Sequence, residues 1–137
     1  LGKSRDYIFE QIFYIRTLYF SPFKSLPEKS MILKASQIEE ELSSLANFLK
    51  KRKLRNVLEI GTNKGGTFYL WCRLATENAR IISMDLQYKL RNGRIDNIKA
   101  TKLFSRYKRG NQRLYFILQD SYKKSTHKTV EEILDGN

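Results

Sequence analysis

The stretch that decides the fold is NVLEIGTNKGGTFYLW, residues 56–71. It predicts a strand, a tight turn and a helix. Val57, Leu58 and Ile60 form a short apolar run, which is typical of a strand buried on both faces of a parallel sheet. The helix that follows carries an apolar face made of Phe68, Leu70, Trp71, Leu74 and Ala75.

Three glycines, Gly61, Gly65 and Gly66, flank the polar turn between this strand and this helix. Glycine permits unusual φ angles and allows the backbone to approach a ligand closely. The first-turn N–H groups of a helix have no partner within the helix and favour a negative group. The turn therefore predicts a ligand site.

The spacing of these glycines disfavours a dinucleotide. The dinucleotide fingerprint is G-x-G-x-x-G, with glycine at three fixed positions. Gly61 and Gly66 fit the first and third positions, but Asn63 stands at the second. A pyrophosphate would meet a side chain there, so NAD and FAD are disfavoured.

The pattern over residues 59–66 is instead E-x-G-x-x-x-G-G. In this form LEIGTNKGGTFYLW, residues 58–71, resembles motif I of class I S-adenosylmethionine (SAM)-dependent methyltransferases. It resembles more narrowly the cephalosporin-hydroxylase-like branch, whose members carry LEIG-T-x-x-G-G-[ST] before a Leu-Trp helix. The resemblance implies that the turn packs against the methionine end of SAM. It gives as cofactor-binding candidates Glu59, Gly61, Thr62, Asn63, Gly65 and Gly66.

Two further segments agree with this resemblance. Residues 79–86, ARIISMDL, predict a second strand that ends at Asp85, 19 residues after Gly66. An acid at about this distance hydrogen-bonds ribose hydroxyls in Rossmann-type sites. Residues 114–118 predict a third strand, which Gln119, Asp120 and Ser121 follow. The resemblance implies that Asp120 and Ser121 lie near the adenine, although Gln119 replaces a glycine that is frequent in the family.

Each acidic candidate also has a plain structural interpretation. Glu59 could be a strand-end carboxylate that pairs with a nearby base, and Asp85 could cap a turn, as acids at strand ends often do. Cys72 is more typical of a buried structural cysteine than of a nucleophile. His127 is the only histidine and is more typical of a surface residue than of a metal ligand, so the sequence predicts no metal site.

The segments before the first strand predict helices. Residues 5–20 have apolar side chains at helical spacing, so residues 1–29 are interpreted as a helical extension and loop. The resemblance implies that residues 30–137 are the N-terminal half of a SAM-binding Rossmann-like domain. Leu26-Pro27 belongs to the predicted loop, and Ser30 or Ser36 could cap the next helix. That helix carries a stripe made of Ile38, Leu42, Leu45, Phe48 and Leu49.

The remaining helices are predicted after each later strand or turn. The helix after the glycine turn is expected to end near Asn78. Residues 88–110 are rich in Lys and Arg and predict a crossover helix that uses Ile95, Ile98, Leu103 and Tyr107, with Gly93 in a loop. Residues 129–134 predict the start of a last helix.

The fold class predicted is α/β. The resemblance implies a Rossmann-like class I methyltransferase fold, of which the sequence holds an incomplete part, about three parallel strands with flanking helices. In the family order the first strand pairs with a fourth strand, so the edge of residues 57–60 would be bare. We expect a missing chain segment or an oligomer to cover it. In some branches the missing half carries a divalent metal or catalytic ligands, so no catalytic residue is named.

The composition limits the function classes. The 137 residues carry a net charge of +12, and the pI is about 9.9, so nucleic acid is a possible partner. No apolar run is long enough to span a membrane. The single cysteine fits a reducing compartment, and a cytoplasmic location is expected.

The function predicted is SAM-dependent methyl transfer to an oxygen or nitrogen of a small-molecule or saccharide-type acceptor. Two alternatives stay open. The first is a nucleic-acid (RNA) methyltransferase. The second is a non-catalytic module that binds a nucleotide or nucleic acid.

Overall fold

The computed structural model describes residues 25–136. Predictions for residues 1–24, including the helix of residues 5–20, lie outside the described residues. Five α-helices and three strands are described, and a short 3-10 helix spans Ser105–Tyr107. The elements in chain order are α1 (Leu26–Ile32), α2 (Glu39–Leu49), β1 (Asn56–Ile60), α3 (Gly66–Leu74), β2 (Arg80–Asp85), α4 (Asn97–Phe104), β3 (Arg113–Leu118) and α5 (Lys124–Asp135).

The three strands form one parallel sheet in the order β1-β2-β3. Glu59 of β1 is level with Ser83 of β2, and Ser83 is level with Phe116 of β3. The α/β class and the three parallel strands with flanking helices are therefore confirmed, and the architecture is compatible with a Rossmann-like fold.

One face of the sheet packs against α3 and α4. Ile81 of β2 is fully buried on this face, in the main core cluster. The cluster is rich in aromatic rings, whose centroids lie 5.4 to 6.4 Å apart. These rings belong to Phe68, Tyr69, Tyr88, Phe104, Tyr107 and Phe116. Aromatic pairs at this spacing add to the stability that burial gives.

The opposite face packs against α5. Ile82, Met84 and Ile117 of the sheet meet Val130 of this helix. The Arg80 guanidinium, at the start of β2, donates to backbone oxygens of the last turn of α5, including that of Ile133 at 2.9 Å. Cations at a helix C-terminus are favourable, so this contact positions α5 on the second face.

The prediction that β1 is buried on both faces is wrong. Leu58 is 45% exposed and Ile60 is 62% exposed, because α5 covers β2 and β3 but leaves this side of β1 open. Since β1 is an edge strand, its outer backbone groups pair with no strand among residues 25–136. The expectation of a bare edge at residues 57–60 is confirmed.

The loop predicted at Leu26-Pro27 is also wrong, because α1 begins there. The Ser25 side-chain oxygen accepts a hydrogen bond from the Glu28 N–H, and the Ser25 N–H donates to the Glu28 carboxylate. These two bonds form a capping box. Pro27 stands in the first turn, where a proline needs no donor. The boundary placed between residues 29 and 30 falls inside this helix.

Two predicted helix ends and one predicted stripe differ as well. Ser30 lies inside α1 and Ser36 does not cap α2, whose N-cap is Ile38 without a side-chain bond. Only part of the α2 stripe is buried: Leu42 is covered, but Leu45 and Phe48 are 41% and 61% exposed. The helix α3 ends at Leu74 rather than near Asn78.

Gln112 explains the early end of α3. Its buried side-chain amide donates to the carbonyls of Cys72 at 2.7 Å and Thr76 at 3.1 Å. These bonds satisfy carbonyls that a longer helix would have used. The crossover helix α4 is present and Gly93 lies in a turn, but Ile95 and Ile98 are exposed instead of packed. The last helix α5 is also present, but it begins at Lys124 rather than at the predicted residue 129.

Candidate ligand site at the carboxyl ends of the strands

The glycine turn after β1 is bonded to the end of β2. The Gly61 N–H donates to the Met84 carbonyl at 2.8 Å, and the Asn63 N–H donates to Asp85 Oδ2 at 2.7 Å. The first two predicted parts of the site are therefore in direct contact. Open α/β sheets hold ligands at this edge, outside the carboxyl ends of the strands.

Asp85 has both a structural partner and spare capacity. Its Oδ1 accepts from the Leu86 N–H at 2.7 Å, while Oδ2 accepts from Asn63. A carboxylate has about four lone-pair sites, so further donors can reach it. The turn-capping role considered for Asp85 in the sequence is confirmed, and the carboxylate can still accept from a ligand hydroxyl.

The turn uses three residues with positive φ: Gly61 at 86°, Asn63 at 52° and Gly65 at 82°. Asparagine tolerates this region better than most residues with a side chain. A Cβ added at Gly61 would meet nothing within 4 Å, so the backbone faces open space there. Gly61 is therefore the glycine of the turn whose backbone is open to close approach.

Gly65 and Gly66 are required by packing. A Cβ at Gly65 would lie 2.3 Å from Cε1 of Phe104, and one at Gly66 would lie 2.1 Å from the Ala35 N. These glycines allow α3 to approach α4 and α1 closely. They shape the turn from behind.

Glu59 is the centre of a hydrogen-bond network behind the turn. Trp71 Nε1 donates to its Oε1 at 3.2 Å, and Thr62 Oγ1 donates to its Oε2 at 2.9 Å. Thr62 Oγ1 also lies 2.6 Å from Ser83 Oγ, which is 3.1 Å from the Tyr88 hydroxyl. The network joins the first strand to the second across the sheet.

Burial raises the pKa of Glu59 to about 7, and the negative charge of Asp85 adds to this effect. The hydrogen bonds from Thr62 and Trp71 act in the opposite direction, because they favour the ionised carboxylate. The partners of Glu59 in the network are a hydroxyl and an indole. A carboxyl with a pKa of about 7 therefore lies beside the glycine turn.

Asp120 and Ser121 lie at the end of β3, next to Asp85. The Tyr122 N–H donates to Asp120 Oδ1 at 3.0 Å, and the Asp120 carbonyl accepts from Thr126 Oγ1 at 2.7 Å, so Asp120 is bonded to the first turn of α5. A cavity of about 220 Å³ lies between the ends of the three strands. Its lining includes Ile60, Gly61, Asp85, Leu86, Asp120 and Ser121.

A larger cavity of about 530 Å³ runs along β1. Every residue of Asn56–Ile60 lines it, opposite Leu45 and Leu49 of α2. A space that follows the whole free edge of a strand, with apolar side chains opposite, has the form that an added strand fills. The predicted residues Glu59, Thr62 and Asn63 line its carboxyl end, and the two cavities meet at Ile60 and Gly61.

Ser83 and Tyr88 belong to the network around Glu59 and were not predicted from the sequence. A small polar residue inside the apolar run ARIISMDL was a usable signal, because a buried hydroxyl needs a partner. The hydroxyl of Tyr88 reaches this network and also lies 3.4 Å from the Ile117 carbonyl, within hydrogen-bonding reach of β3. No signal in the sequence identified Trp71 as the donor to Glu59.

Cys72 and His127 are placed as expected. Cys72 is fully buried, and burial raises the pKa of its thiol above the ordinary value, so the thiolate is disfavoured. His127 is exposed on α5, with Nε2 2.7 Å from the Ser121 carbonyl. Residues 25–136 contain no group of three or more His, Cys, Asp or Glu side chains that could hold a metal ion.

No protein-family model matches the chain, and no curated protein matches it either. Within the described part of the chain, no helix is long and apolar enough to cross a membrane.

Proposed function

We propose that this chain binds SAM at the carboxyl ends of its strands and supplies the cofactor half of a SAM-dependent methyltransferase. The observation that carries the proposal is the bond between the two parts of the motif. The N–H of Asn63, inside the glycine turn, donates to Asp85 at 2.7 Å. A glycine turn and a strand-end carboxylate in contact are the arrangement that Rossmann-type sites use for a ribose and its neighbouring groups.

The residues present fit the adenosine part of SAM. Asp85 accepts from the N–H groups of Asn63 and Leu86, and at 3.5 Å from that of Gln87, which leaves room for a ribose hydroxyl, and Leu86 beside it is 72% exposed. Asp120 and Ser121 add polar groups on the other side of the same cavity. The cavity of about 220 Å³ is below the roughly 300 Å³ at which drug-sized pockets begin, so it suits a nucleoside better than a whole cofactor.

The methionine part of SAM fits the space beside Gly61 and Glu59. The Gly61 backbone faces open space, and Glu59 stands behind it with a pKa of about 7. An ammonium group near this carboxyl would favour the ionised form and lower its pKa. Thr62 and Trp71 hold the carboxylate in position. Glu59 is thus the residue that we assign to the amino group.

The bound cofactor would supply a methyl group on a sulfonium for in-line transfer to an oxygen or nitrogen nucleophile. The part of this chain in the reaction is to hold the donor in position, and positioning is a large share of such catalysis. The free side of the site opens toward β1 and the larger cavity. We place a small-molecule or saccharide-type acceptor at the carboxyl end of β1, beside Ile60 and Gly61 where the two cavities meet, and we assign no catalytic residue among residues 25–136.

The position of α5 supports a larger doubly wound sheet. The helices α3 and α4 lie on one face, and α5 lies on the other. Connections between parallel strands are right-handed in nearly all proteins. Helices on one face place each new strand on the β3 side, and a connecting helix on the other face places the next strand on the β1 side. A parallel strand connected through α5 would therefore lie on the free edge of β1. The cavity along this edge is the space for it.

Titration calorimetry with SAM and S-adenosylhomocysteine tests the proposal, with NADH and ATP as controls. We expect micromolar binding of the first two only. We expect Asp85→Ala to weaken it by about 1–3 kcal/mol, because a charged hydrogen bond is lost. Asp135→Ala, at an exposed carboxylate on α5, is the matched control and should bind as the wild type does.

Two results would overturn the proposal. Asp85→Ala also removes the acceptor for the Asn63 N–H, so far-UV circular dichroism must first show that the variant is folded. Unchanged affinity in a folded Asp85→Ala variant would remove the ribose role. A folded wild-type chain that binds none of the four ligands would favour the non-catalytic module.

A further inference from the structure

Exposed cations gather at the edge of the sheet that lies opposite to the candidate ligand site. The carboxylates of Glu59, Asp85 and Asp120 line the cavities at the carboxyl edge. The opposite edge, where the strands begin, carries a group of exposed cations. We call this group the basic edge, and it consists of Lys50, Lys51, Arg52, Lys53, Arg55, Lys108 and Arg113.

The fold concentrates these cations. The chain of Lys50–Lys53 lies between the end of α2 and the start of β1, and Arg113 begins β3. Asn56, Arg80 and Arg113 are level across the sheet, and neighbouring strands lie about 4.8 Å apart. The cations after α2 and those at β3 therefore lie within the span of a short polyanion. The nearby acid Glu77 is 3.5 Å from Arg109, which it partly neutralises.

An exposed aromatic ring lies inside this group. Phe48 is 61% exposed at the end of α2, and the guanidinium carbon of Arg52 lies 4.3 Å from its ring centroid. Asn47, Phe48, Lys51 and Arg52 line a shallow cavity of about 430 Å³. Aromatic rings and guanidinium planes are the surfaces on which unpaired bases stack, and flanking cations bind the phosphates.

We propose that the basic edge binds single-stranded nucleic acid, with a base stacked on Phe48 and phosphates held by Lys51 and Lys53. A membrane surface fits less well, because a helix that lies on membranes is basic along its polar face. The helix α2 begins instead with Glu39, Glu40 and Glu41. The bound strand lies at the edge opposite to the carboxylates, so it docks the protein and is not the methyl acceptor.

Fluorescence anisotropy tests this proposal. A labelled oligouridylate is titrated with the whole chain, and the affinity is measured at several salt concentrations. Two double variants have the same charge change: Lys51→Glu with Lys53→Glu at the basic edge, and Lys123→Glu with Lys124→Glu at the carboxyl edge. At about 50 mM salt we expect the first pair to lose about tenfold or more in affinity. Its slope of log K against log salt should fall by about 1.4, since each phosphate contact of a single strand contributes about 0.7.

The carboxyl-edge pair is the control and should lose less than about threefold at the same salt. Phe48→Ala should weaken binding by about tenfold and leave the salt slope unchanged, because stacking releases no counterions. Phe48→Tyr should restore it. All of these side chains are exposed, so the variants should keep the circular dichroism of the wild type.

Several results would overturn the proposal. Equal losses in the two lysine pairs would mean that binding follows net charge alone. A greater loss in the carboxyl-edge pair would place the nucleic acid at the ligand site. No effect of Phe48→Ala, or equally tight Phe48-dependent binding to phosphatidylserine vesicles, would exclude base stacking as the basis of recognition. SAM binding is expected to survive in every variant, so this test fails or succeeds separately from the proposed function.

Discussion

Glu59→Gln tests the energetic cost of the carboxyl behind the glycine turn. Burial raises the pKa of Glu59 from 4.5 to about 7 in the folded chain. A carboxyl with a raised pKa favours folding only while it is protonated. Its contribution is fully present below pH 4.5 and is lost as the pH rises to about 7. The wild-type chain should therefore become less stable across this range.

The magnitude follows from the shift. One pH unit of difference between the two states corresponds to about 1.4 kcal/mol, so the shift corresponds to about 3 kcal/mol. Glu59 is half-buried, and solvent screening lowers this figure to about 2 kcal/mol. Glutamine has the same shape without the charge. Its amide can accept from Trp71 and donate to Thr62, whose own proton can turn to Ser83.

Urea unfolding of the wild type and Glu59→Gln at about pH 5 and about pH 8 measures the effect. Trp71 is the only tryptophan and lies beside Glu59, so its fluorescence follows the relevant region. The difference in unfolding free energy between the two proteins should change by about 2 kcal/mol in favour of the variant at the higher pH. Glu131→Gln, at an exposed position on α5, is the matched control and should keep the wild-type pH dependence. Parallel pH dependence in the wild type and Glu59→Gln would show that the pKa of Glu59 is not raised in the folded chain.

Three further substitutions test the turn and the helix that follows it, each by urea unfolding. Gly65→Ala should lower the unfolding free energy by about 2–4 kcal/mol, because the new Cβ meets the Phe104 ring and the φ angle is positive. A loss below about 0.5 kcal/mol would mean that α4 moves aside freely. Gln112→Leu should lower the unfolding free energy by about 1–3 kcal/mol and speed amide exchange in α3, because the Cys72 carbonyl in its last turn and the Thr76 carbonyl just after it lose their donor. Unchanged exchange would show that the cap is dispensable. Asn63→Gly should be nearly neutral, whereas Asn63→Ala should cost about 1 kcal/mol because of the positive φ, and equal stabilities would contradict that account.

The sheet could be predicted from the sequence because strands between glycine turns and helices have strong local patterns. The apolar runs at β2 and β3, and Asp85 at the end of β2, are all local signals, and the structure agrees with them. The bare edge of β1 also followed from the number of strands. The bond between the glycine turn and Asp85 was not itself predicted, and it follows from the topology, because neighbouring parallel strands end at one edge of the sheet.

What the sequence could not give depends on contacts between distant segments. Leu58 and Ile60 are exposed only because α5 packs on β2 and β3 and not on β1. The end of α3 is set by Gln112, about 38 residues later in the chain, a distance at which local patterns carry no information. The same is true of Gly65, whose constraint is the ring of Phe104 rather than a ligand. The spacing of apolar residues shows which side chains a helix or strand could bury. The elements that pack against it determine which of them are buried.

We propose that SAM binds where the glycine turn meets Asp85. The most direct test is an NMR titration of the ¹⁵N-labelled chain with S-adenosylhomocysteine, which reports on each backbone amide. We expect the largest chemical-shift changes at Gly61, Asn63, Leu86 and Ser121, around the carboxyl edge of the sheet. The absence of changes at about 1 mM ligand, or changes confined to the basic edge, would contradict it.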